Sequence, residues 1–582
     1  MLQAWYPAGS KTNRAAAGDR SAAEEKARNR DSLKKKEAVL LAAIFLAAML
    51  AGCGSRQGGE KDSEKMALNL QLDAEISTLD PQAAVDSASF EVIGLLMDGL
   101  YQMNGQEMPE PALAEETEVL EDGLLYRFTL REAFWSDGSP VTAADFVYGW
   151  QRGADPAQGN ENAGLFRTAG IANADAVTAG DADVSELGVR ALDERTLEVR
   201  LERPVPYFLS MLSLPAFFPM KESFCDTVGD GYGTSPDTVL SNGAFCLEEY
   251  EPAGQEILLT KNPDYWDSSS VKADEVSYQV IKDSQTAYMA YQSGLTDMAI
   301  LSGQQAQMYE GEEGFRSVPL GSLWYLVPNL KEGDLANKNL RMALALSFDR
   351  ETAAEDVLED GSKAAQGAVP EGAMTGPDGK DFRDGAETYL TPDKGLAAEY
   401  LEKAKEELGK DSFSFVILIE DTDTAGDLGQ YLQEEISRTL LGVTIELEAV
   451  PKKMRLERMA QGDFEIGLTR WGADYPDPLA FLDLWSSGSA FNYGSWENQE
   501  YDAMIREARE GSLLSDAAAR WEVLHQAESV LMEDAGIFPV CEKAVSMLLN
   551  PNLEGEEFHT VGITRVWKRA RKSLAAHLAS LN

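Results

Sequence analysis

Residues 124–150 read LLYRFTLREAFWSDGSPVTAADFVYGW, a stretch that contains a strand, a tight turn and a helix in quick succession. Apolar residues alternate with polar ones in 124–130, which is the period of a half-buried β-strand. Asp137-Gly138 predicts the turn, and Thr142 predicts the N-cap of a helix that extends through Trp150. A strand that leads so directly into a helix is typical of an α/β protein.

The same alternation of strands and helices continues along the chain. Short runs with β-like patterning predict strands over residues 66–72, 196–201, 256–260, 276–281, 324–329, 413–419 and 443–449. Apolar positions at helical spacing predict helices over residues 90–101, 285–293, 340–347, 395–408, 429–440 and 517–534. Because the two kinds of element interleave over the full length, the predicted fold class is α/β.

The composition is that of a large, acidic, globular chain. Its 582 residues include 98 Asp+Glu against 51 Lys+Arg, and 44% are hydrophobic, which is enough to build cores. The length predicts two or three lobes, because one core seldom supports so many residues. The total net charge is −47; residues 1–53 carry +4 and residues 565–582 carry +5, so residues 54–564 carry −56. Such a surface repels phosphate backbones and argues against nucleic-acid binding.

Motifs for catalysis and for cofactor binding are missing from the sequence. It contains no phosphate-binding loop, no H-E-x-x-H and no G-x-S-x-G, and its three His residues argue against a His-rich metal site. No catalytic residue, metal or cofactor is therefore predicted.

The N-terminus predicts export and lipid attachment. Lysines 34–36 precede an uncharged apolar run, 38–51, that is too short to span a membrane stably but suits a signal peptide. The run leads into Leu-Ala-Gly-Cys at 50–53, which resembles the bacterial lipoprotein signal, in which the cysteine is lipidated and becomes the mature N-terminus. Residues 1–52 are then leader and signal peptide, Cys53 is the lipidation site, and residues 53–65 are a flexible tether. The alternative is a cysteine that merely follows a signal peptide or a short membrane anchor.

Two further features leave alternatives open. Cys225 and Cys246 either form a disulfide, which an oxidising exterior permits, or remain isolated buried thiols. In either case Cys541 is left without a cysteine to pair with. The basic end, residues 565–582, is either a contact for an anionic membrane surface or a disordered tail, and the tail is the prediction.

Seven stretches follow one another in a set order along the chain. They are 78–81 (TLDP) with 98–101 (DGLY), 128–131 (FTLR) leading to 135–148 (WSDGSPVTAADFVY), 204–208 (PVPYF), 242–245 (NGAF), 261–266 (KNPDYW), 339–350 (NLRMALALSFDR) and 471–478 (WGADYPDP). Together they resemble the solute-binding proteins of bacterial peptide importers, the oligopeptide- and dipeptide-binding family. The resemblance covers residues from about 66 to 564, and the stretch 135–148 is its most specific part.

The resemblance implies a fold and a division into domains. The fold is a two-lobed α/β clamp of the type II periplasmic-binding-protein kind, with an additional inserted domain. The implied ranges are 66–97, 222–325 and 541–564 for a discontinuous first lobe, 98–221 for the inserted domain, and 326–540 for the second lobe.

The resemblance also implies a ligand site in the proline-rich loop 471–478, which can be neither regular helix nor central strand. In the family, the aspartate of this motif binds the α-ammonium of the ligand, and it falls on Asp474 here. The alternative is that Asp474 caps the helix that begins near Leu479. Further ligand contacts are expected from Trp471, Gly472, Tyr475, Arg470, Val85, Asp86, Ser87, Asn242 and Gly243.

The sequence departs from the family pattern where the C-terminus of a ligand would be bound. Leu468 occupies a position where members carry arginine, and Cys541-Glu542-Lys543 replace tyrosines that members often carry. Arg470, Lys452 and Lys453 are the candidate replacements, and the alternative is that the lysines are simply solvated. The preferred peptide length is therefore left open.

Taken together, these features predict an extracytoplasmic, lipid-anchored protein that captures short peptides between two lobes. It would deliver them to the permease and ATPase subunits of an ABC importer, as a monomer without enzymatic activity. One alternative is the same fold binding another solute, such as a nickel complex, haem or a signalling peptide. The other is a surface hydrolase or a structural lipoprotein built on this scaffold.

Overall fold

The computed structural model describes residues 65–252, 254–331 and 333–573, and helices alternate with strands throughout them. The predicted leader 1–52, the lipidation site Cys53 and the tether up to residue 64 lie outside the described residues. Residues from Lys65 onward form one compact unit. In the part of the chain that is described, no helix combines the length and the apolar character needed to cross a membrane.

The first part of the chain supplies a sheet strand, a buried helix and the elements around residues 98–221. In chain order these are β1 (Ala67–Leu72), α1 (Ser87–Leu96), β2 (Tyr101–Met103), β3 (Pro109–Pro111), β4 (Ala114–Leu120), β5 (Leu125–Leu130), α2 (Ala143–Ala154), α3 (Ala163–Thr168), α4 (Ala174–Ala179), β6 (Val189–Ala191), β7 (Thr196–Arg200) and α5 (Phe208–Met211). Strands β4, β5, β7 and β6 form an antiparallel sheet in that order.

The middle of the chain returns to β1 and then leads into a long strand. Its elements are α6 (Glu222–Val228), β8 (Phe245–Glu249), β9 (Glu256–Lys261), β10 (Glu275–Val280), α7 (Ser284–Gln292), β11 (Met298–Ile300), α8 (Gly303–Tyr309) and β12 (Phe315–Pro328). A four-stranded sheet has the order β1-β10-β9-β8, in which β1 and β10 are parallel. The N-terminal strand is thus joined to residues that lie about 200 positions later.

The last part of the chain builds a second sheet and then closes on the first. Its elements are α9 (Lys338–Ala345), a π-helical segment (Thr352–Leu358), β13 (Lys363–Ala364), α10 (Lys394–Leu408), β14 (Phe413–Glu420), α11 (Asp423–Thr439), β15 (Val443–Val450), α12 (Lys452–Gln461), β16 (Ile466–Gly472), α13 (Leu479–Leu482), α14 (Gln499–Glu510), α15 (Ala517–Glu533), β17 (Phe538–Leu549), β18 (Leu553–Glu554), β19 (Glu557–Phe558), β20 (Arg565–Val566) and β21 (Arg571–Lys572). The sheet runs β11-β17-β12-β16-β14-β15, with β13 paired to β17. Strands β14 and β15 are parallel and are linked by α11, which is the βαβ connection expected of an α/β protein.

The stretch 124–150 folds as its sequence predicts. β5 lies between β4 and β7, and Trp135 is buried beneath the turn that follows, with its Nε1 3.2 Å from Asp145 Oδ2. Gly138 has φ 80°, a conformation that favours glycine. Thr142 and Asp145 form a capping box at the start of α2. The predicted turn and helix cap are both confirmed.

One helix begins earlier than its sequence suggests. The predicted helix 429–440 is observed as Asp423–Thr439, capped by the Thr422 side chain, which accepts from Ala425 N–H. Glycines at 426 and 429 lower helix propensity, which is why the first turns were not expected to be helical. Gly429 is used for packing instead, because a Cβ there would lie only 3.3 Å from Ile419.

Two long strands, β12 and β17, connect the hydrophobic cores. Val318 and Met547 lie in the large core that contains the N-terminal sheet and residues 98–221. Leu326 and Phe538, at the other ends of the same strands, lie in the core of the second sheet and its helices. Near Leu326 the alternating neighbours Tyr325 and Val327 belong to the large core, so the paired strands β12 and β17 contribute to both cores.

The cysteines that the structure describes are free thiols. Cys225 and Cys541 are buried and Cys246 is partly buried. Of the two alternatives for Cys225 and Cys246, the structure has the isolated thiols rather than the disulfide.

The C-terminal basic residues are part of the fold, which corrects the prediction of a tail from residue 565. Trp567 is fully buried and donates from Nε1 to Glu91 Oε1 on α1, 2.6 Å away. Arg565 pairs with the other oxygen of Glu91 at 2.6 Å, and Lys568 pairs with Asp98 at 2.7 Å. The prediction placed these basic residues in solvent because of their charge, but Arg565 and Lys568 each form an ion pair with a buried carboxylate. As far as residue 573 this end is therefore not a disordered tail.

We expect Trp567→Ala to lower the free energy of unfolding by about 3–5 kcal/mol, because it removes a buried aromatic and leaves a cavity against α1. Chemical denaturation measures this loss directly. Arg571→Ala is the matched control on the same segment, because its ion pair with Glu554 is half exposed and is worth at most about 1 kcal/mol. Equal, small effects of the two substitutions would show that the segment does not support the fold.

Candidate functional site

Strand β16 positions a proline-containing loop at the end of the second sheet. It pairs antiparallel with β12 along its whole length and ends with Gly472 opposite Ser322. The N–H of Ala473 continues the ladder with a 3.1 Å bond to Gly321 O. Two prolines then prevent the strand from continuing. The loop 473–478, here called the acidic loop, therefore projects from the end of β16.

The other edge of β16 is open close to this loop. Strand β14 pairs with β16 only at Ile466 and Gly467, and among the described residues no strand pairs with residues 468–472 on that side. Bonded and non-bonded pairs alternate in an antiparallel ladder, and Ala473 is bonded to β12. The N–H and C=O groups of Arg470 and Gly472 therefore point away from β12. An extended chain can add to the sheet at this edge.

Asp474 lies two residues beyond the open edge and has no partner for its carboxylate. The residue retains exposed surface, and within the described ranges no side chain or backbone group donates to it or pairs with it. Burial of the carboxyl on its protein side nevertheless raises its pKa above the ordinary value. This combination is expected at the wall of a cleft, where one side of a group meets protein and the other meets water. A cationic ligand would supply the missing partner.

Asp477, three residues later, is fully committed to the fold. Both of its oxygens accept hydrogen bonds of 2.8 Å from the Arg520 guanidinium, and both residues are buried. Its Oδ1 also accepts from Leu479 N–H at 3.0 Å, at the first residue of α13. Asp477, and not Asp474, therefore caps the helix near Leu479. The alternative that Asp474 caps this helix is wrong.

The neighbours of Asp474 are held rigidly. Trp471 donates from Nε1 to Ala480 O at 2.9 Å, which ties the end of β16 to α13. Tyr475 stacks on Tyr207, with ring centroids 4.7 Å apart and an interplanar angle of 26°. Tyr207 comes from the PVPYF stretch just before α5, so this contact joins residues 98–221 to the acidic loop. It places the family-like stretch 204–208 directly beside the candidate site.

Val85, Asp86 and Ser87 form the start of α1, which is accessible to solvent. Asp86 caps the helix by accepting from Ser89 N–H at 2.8 Å, while Val85 is 49% exposed. No hydrogen bond or ring contact joins these three residues to the acidic loop in the described part of the chain. The structure therefore leaves their expected backbone contact with a ligand untested.

Asn242 and Gly243 do not reach the site, which corrects their prediction as ligand contacts. The Asn242 amide accepts from Asp98 N–H and donates to Asp98 O, at 2.9 and 3.2 Å. Both backbone N–H groups bond to Leu96 O, and a Cβ on Gly243 would come within 2.6 Å of Met97 N. These two buried residues hold the end of α1, so their polar groups are not available to a ligand.

The candidate cations for the ligand C-terminus differ in availability. Arg470 is exposed, and its guanidinium lies 5.6 Å from the centre of the Trp324 ring. Leu468, at the position where the family carries arginine, is completely buried in the core of the second sheet. Lys543 pairs with Asp360, so it is already neutralised. Lys452 and Lys453 are exposed on α12, and Lys453 lies 4.0 Å from Glu457.

Glu542, one of the residues that replace family tyrosines, has a structural role. Burial raises the pKa of its carboxyl to about 7, although backbone N–H groups of Glu371 and Gln366 bond to it. It holds the loop after β13 against β17. In the parts of the chain that the structure describes, no group of three or more His, Cys, Asp and Glu side chains could hold a metal ion.

Sequence reasoning missed three residues that shape the site: Tyr207, Arg520 and Phe491. The first two reach the acidic loop only through tertiary contacts, which no local pattern reports. Phe491 packs on Trp471 with ring centroids 4.9 Å apart, yet it is 45% exposed. A large apolar residue within the Gly/Ser-rich sequence SSGSAFNYG was the available signal.

The two aspartates of the acidic loop should differ sharply in their effect on stability. Asp477→Ala leaves a buried Arg520 without its partner, so we expect a loss of about 3–5 kcal/mol in the free energy of unfolding. Asp474→Ala should cost little. The raised pKa of Asp474 means that its ionised form opposes folding above that pKa. At neutral pH the free energy of unfolding of Asp474→Ala should therefore be slightly higher than that of the wild type. This difference should disappear as the pH falls through the raised pKa of Asp474.

Urea denaturation of both variants, at about pH 7 and about pH 4, tests this pair of expectations. Asp477→Asn is the conservative companion, because it keeps the size of the side chain while removing its charge. A large loss from Asp474→Ala would contradict the assignment of an unpartnered carboxylate.

Comparisons with known proteins identify relatives over most of the chain. The family model described as "Bacterial extracellular solute-binding proteins, family 5 Middle" matches residues 108–493. The Bacillus subtilis protein named dipeptide-binding protein DppE is 32% identical over 532 residues, covering 89% of this chain and 96% of its own. The Escherichia coli protein named probable deoxycholate-binding periplasmic protein YgiS is 34% identical, over 83% of this chain and 89% of its own.

The fold is shared with solved structures. The structure titled "Listeria monocytogenes OppA bound to peptide" matches with a TM-score of 0.70 and 31% identity, covering 88% of this chain and 99% of that one. The expected two-lobed, type II periplasmic-binding fold is confirmed. The chain belongs to family 5 of the bacterial extracellular solute-binding proteins.

Proposed function

We propose that this protein captures short peptides between its two lobes and delivers them to the permease and ATPase subunits of an ABC importer. The observation that carries the proposal is Asp474: an unpartnered, partly desolvated carboxylate next to an open strand edge. Relatives named for dipeptide and oligopeptide binding support it. A solute-binding role of this kind involves no turnover, so the protein is not an enzyme.

The site suits a ligand of any sequence, because it addresses groups that all peptides share. The free α-ammonium pairs with Asp474 in a charge-assisted hydrogen bond. The backbone of the peptide then extends along the open edge of β16, where Arg470 and Gly472 offer N–H and C=O groups. Val85, Asp86 and Ser87 would approach the ligand from the opposite lobe. Side chains of the ligand are left in the remaining space.

Closure of the lobes follows from the same contacts. A peptide bound between them stabilises the closed arrangement by its differential affinity, and the closed form is what the permease would recognise. The Tyr207–Tyr475 stack lies immediately beside Asp474, so the ammonium site and a contact with residues 98–221 share one loop. The proposed domains are 66–97, 222–325 and 541–564 for the first lobe, 98–221 for the insertion, and 326–540 for the second lobe. We extend the first lobe from residue 564 to 573 because Trp567 packs against α1.

We expect Asp474→Asn to weaken binding of a free-amino tripeptide by a factor that corresponds to about 2–5 kcal/mol, because the ammonium loses its charged partner. Isothermal titration calorimetry measures the change. The N-acetylated tripeptide is the ligand control: it should bind the wild type weakly and should distinguish little between the two proteins. Arg509→Gln, which disturbs a partly exposed ion pair with Asp483, is the protein control.

Native mass spectrometry of freshly purified protein separates this proposal from its alternatives. A ladder of co-purified short peptides supports it. A single non-peptide ligand would contradict it and would favour the case suggested by the name of the deoxycholate-binding relative. Unchanged affinity of Asp474→Asn for the free-amino tripeptide would remove Asp474 from the site.

We further propose that the mature protein begins at Cys53 and is held on the extracytoplasmic face of the cell membrane by lipid on that cysteine. The basic residues, apolar run and Leu-Ala-Gly-Cys sequence support this. We expect Cys53→Ser to move the protein from the membrane fraction to the soluble fraction of the native host, measured by fractionation and immunoblot. Cys225→Ser is the matched control, because that thiol is buried within the fold. Retention of Cys53→Ser on the membrane would contradict the lipid anchor.

A further inference from the structure

We propose that Phe491 and Trp471 form an apolar side-chain subsite near Asp474, selective for peptides with a large apolar residue among their first three positions. The inference rests on the peptide binding proposed above and extends it to a preference among peptides.

Phe491 is a half-exposed aromatic that touches a candidate ligand residue. Its side chain is 45% exposed, and its ring meets that of Trp471 at an interplanar angle of 59°. Aromatic rings contribute most when they are covered, so a ring left open to water beside a binding site can gain from a ligand. Leu441 is even more exposed, at 79%, but it lies in the turn after α11.

The exposure of Phe491 is fixed by its loop. The next residue, Asn492, is buried and donates from its amide to the backbone carbonyls of Trp485, Ser486 and Trp496. The carbonyl of Phe491 itself accepts from Tyr493 N–H at 2.8 Å. Because the backbone is held at Phe491 and at the next residue, and the ring packs on Trp471, little conformational entropy is lost on binding.

Trp471 forms the rigid base of the subsite. Its indole is held by the 2.9 Å bond to Ala480 O, and it packs against the large core. The two rings therefore present a preorganised apolar surface. The open strand edge and the unpaired carboxylate lie within the next three residues of the chain.

The position of the subsite along a ligand follows from strand geometry. Trp471 is three residues from Asp474, which is a span of at most about 10 Å at roughly 3.3 Å per residue. A peptide with its ammonium at Asp474 covers that distance with its first three residues. Successive side chains of an extended peptide point to opposite faces, so neighbouring positions cannot both reach the same pair of rings.

A phenylalanine scan of an alanine tetrapeptide tests the subsite. The probes are tetra-alanine and the four peptides with one phenylalanine, titrated calorimetrically into wild type and Phe491→Ala. In the wild type we expect phenylalanine at one of the first three positions to improve affinity about tenfold. In Phe491→Ala we expect this preference to fall to about twofold, because the loss falls mainly on the peptide whose phenylalanine covers the ring. Leu441→Ala, which truncates a more exposed apolar side chain in the turn after α11, should keep the preference.

The outcomes distinguish the subsite from the peptide-binding function. Three outcomes overturn the subsite alone. They are an equal loss of affinity for all five peptides in Phe491→Ala, a phenylalanine preference that survives that substitution, and a preference confined to the fourth position. Failure of the wild type to bind any of the peptides overturns the peptide function and the subsite with it. Phe491→Leu should retain most of the preference, and loss equal to that of Phe491→Ala would show that ring shape rather than apolar surface is selected.

Discussion

The pairing of β12 with β17 is the constraint on which the rest of the molecule depends. Both strands contribute side chains to both hydrophobic cores, so neither core is complete without them. The ladder is interrupted by register shifts between Pro319 and Leu323 and between Trp324 and Tyr325. Such bulges bend a strand pair without breaking it. The first interruption contains Gly321, the residue that receives the hydrogen bond from Ala473. The candidate site is thus attached where the shared strands bend.

The acidic loop assigns opposite roles to two nearly adjacent carboxylates. Asp477 is buried, bonded by both oxygens and responsible for the cap of α13, so the loop keeps one conformation. Asp474 contributes nothing of this kind and is left with an incomplete environment. A binding site needs both: the fixed group provides geometry, and the unsatisfied group provides affinity. The same division holds for Trp471, whose N–H is used internally, and Phe491, whose ring is not covered.

The sequence predicted the class of the fold and most of its elements, because strand and helix periodicities are local properties. Strands 124–130, 413–419 and 443–449 were placed to within a residue or so. Asp474 was identified because a family motif happens to be continuous in the chain. Asn242 lies in an equally continuous motif, yet its amide serves α1, which shows that a motif does not distinguish architecture from binding. Arg565 and Lys568 were assigned to solvent because their carboxylate partners lie about 470 residues earlier. Contacts of that range leave no local signal.

The path of the chain around α1 has a consequence for folding. Strand β1 pairs with β10, about 200 residues later, and α1 is covered by Trp567 near the other end of the described chain. The β1–β10 pairing must await residue 280, and the covering of α1 by Trp567 must await nearly the whole described chain. The loop-closure entropy of both contacts slows folding. The second sheet, by contrast, is built largely from the continuous stretch from β12 to β17 and can form as a unit. The lobe that contains the N-terminus is therefore the last to be completed, and a chain arrested before residue 567 exposes the apolar surface of α1 to aggregation.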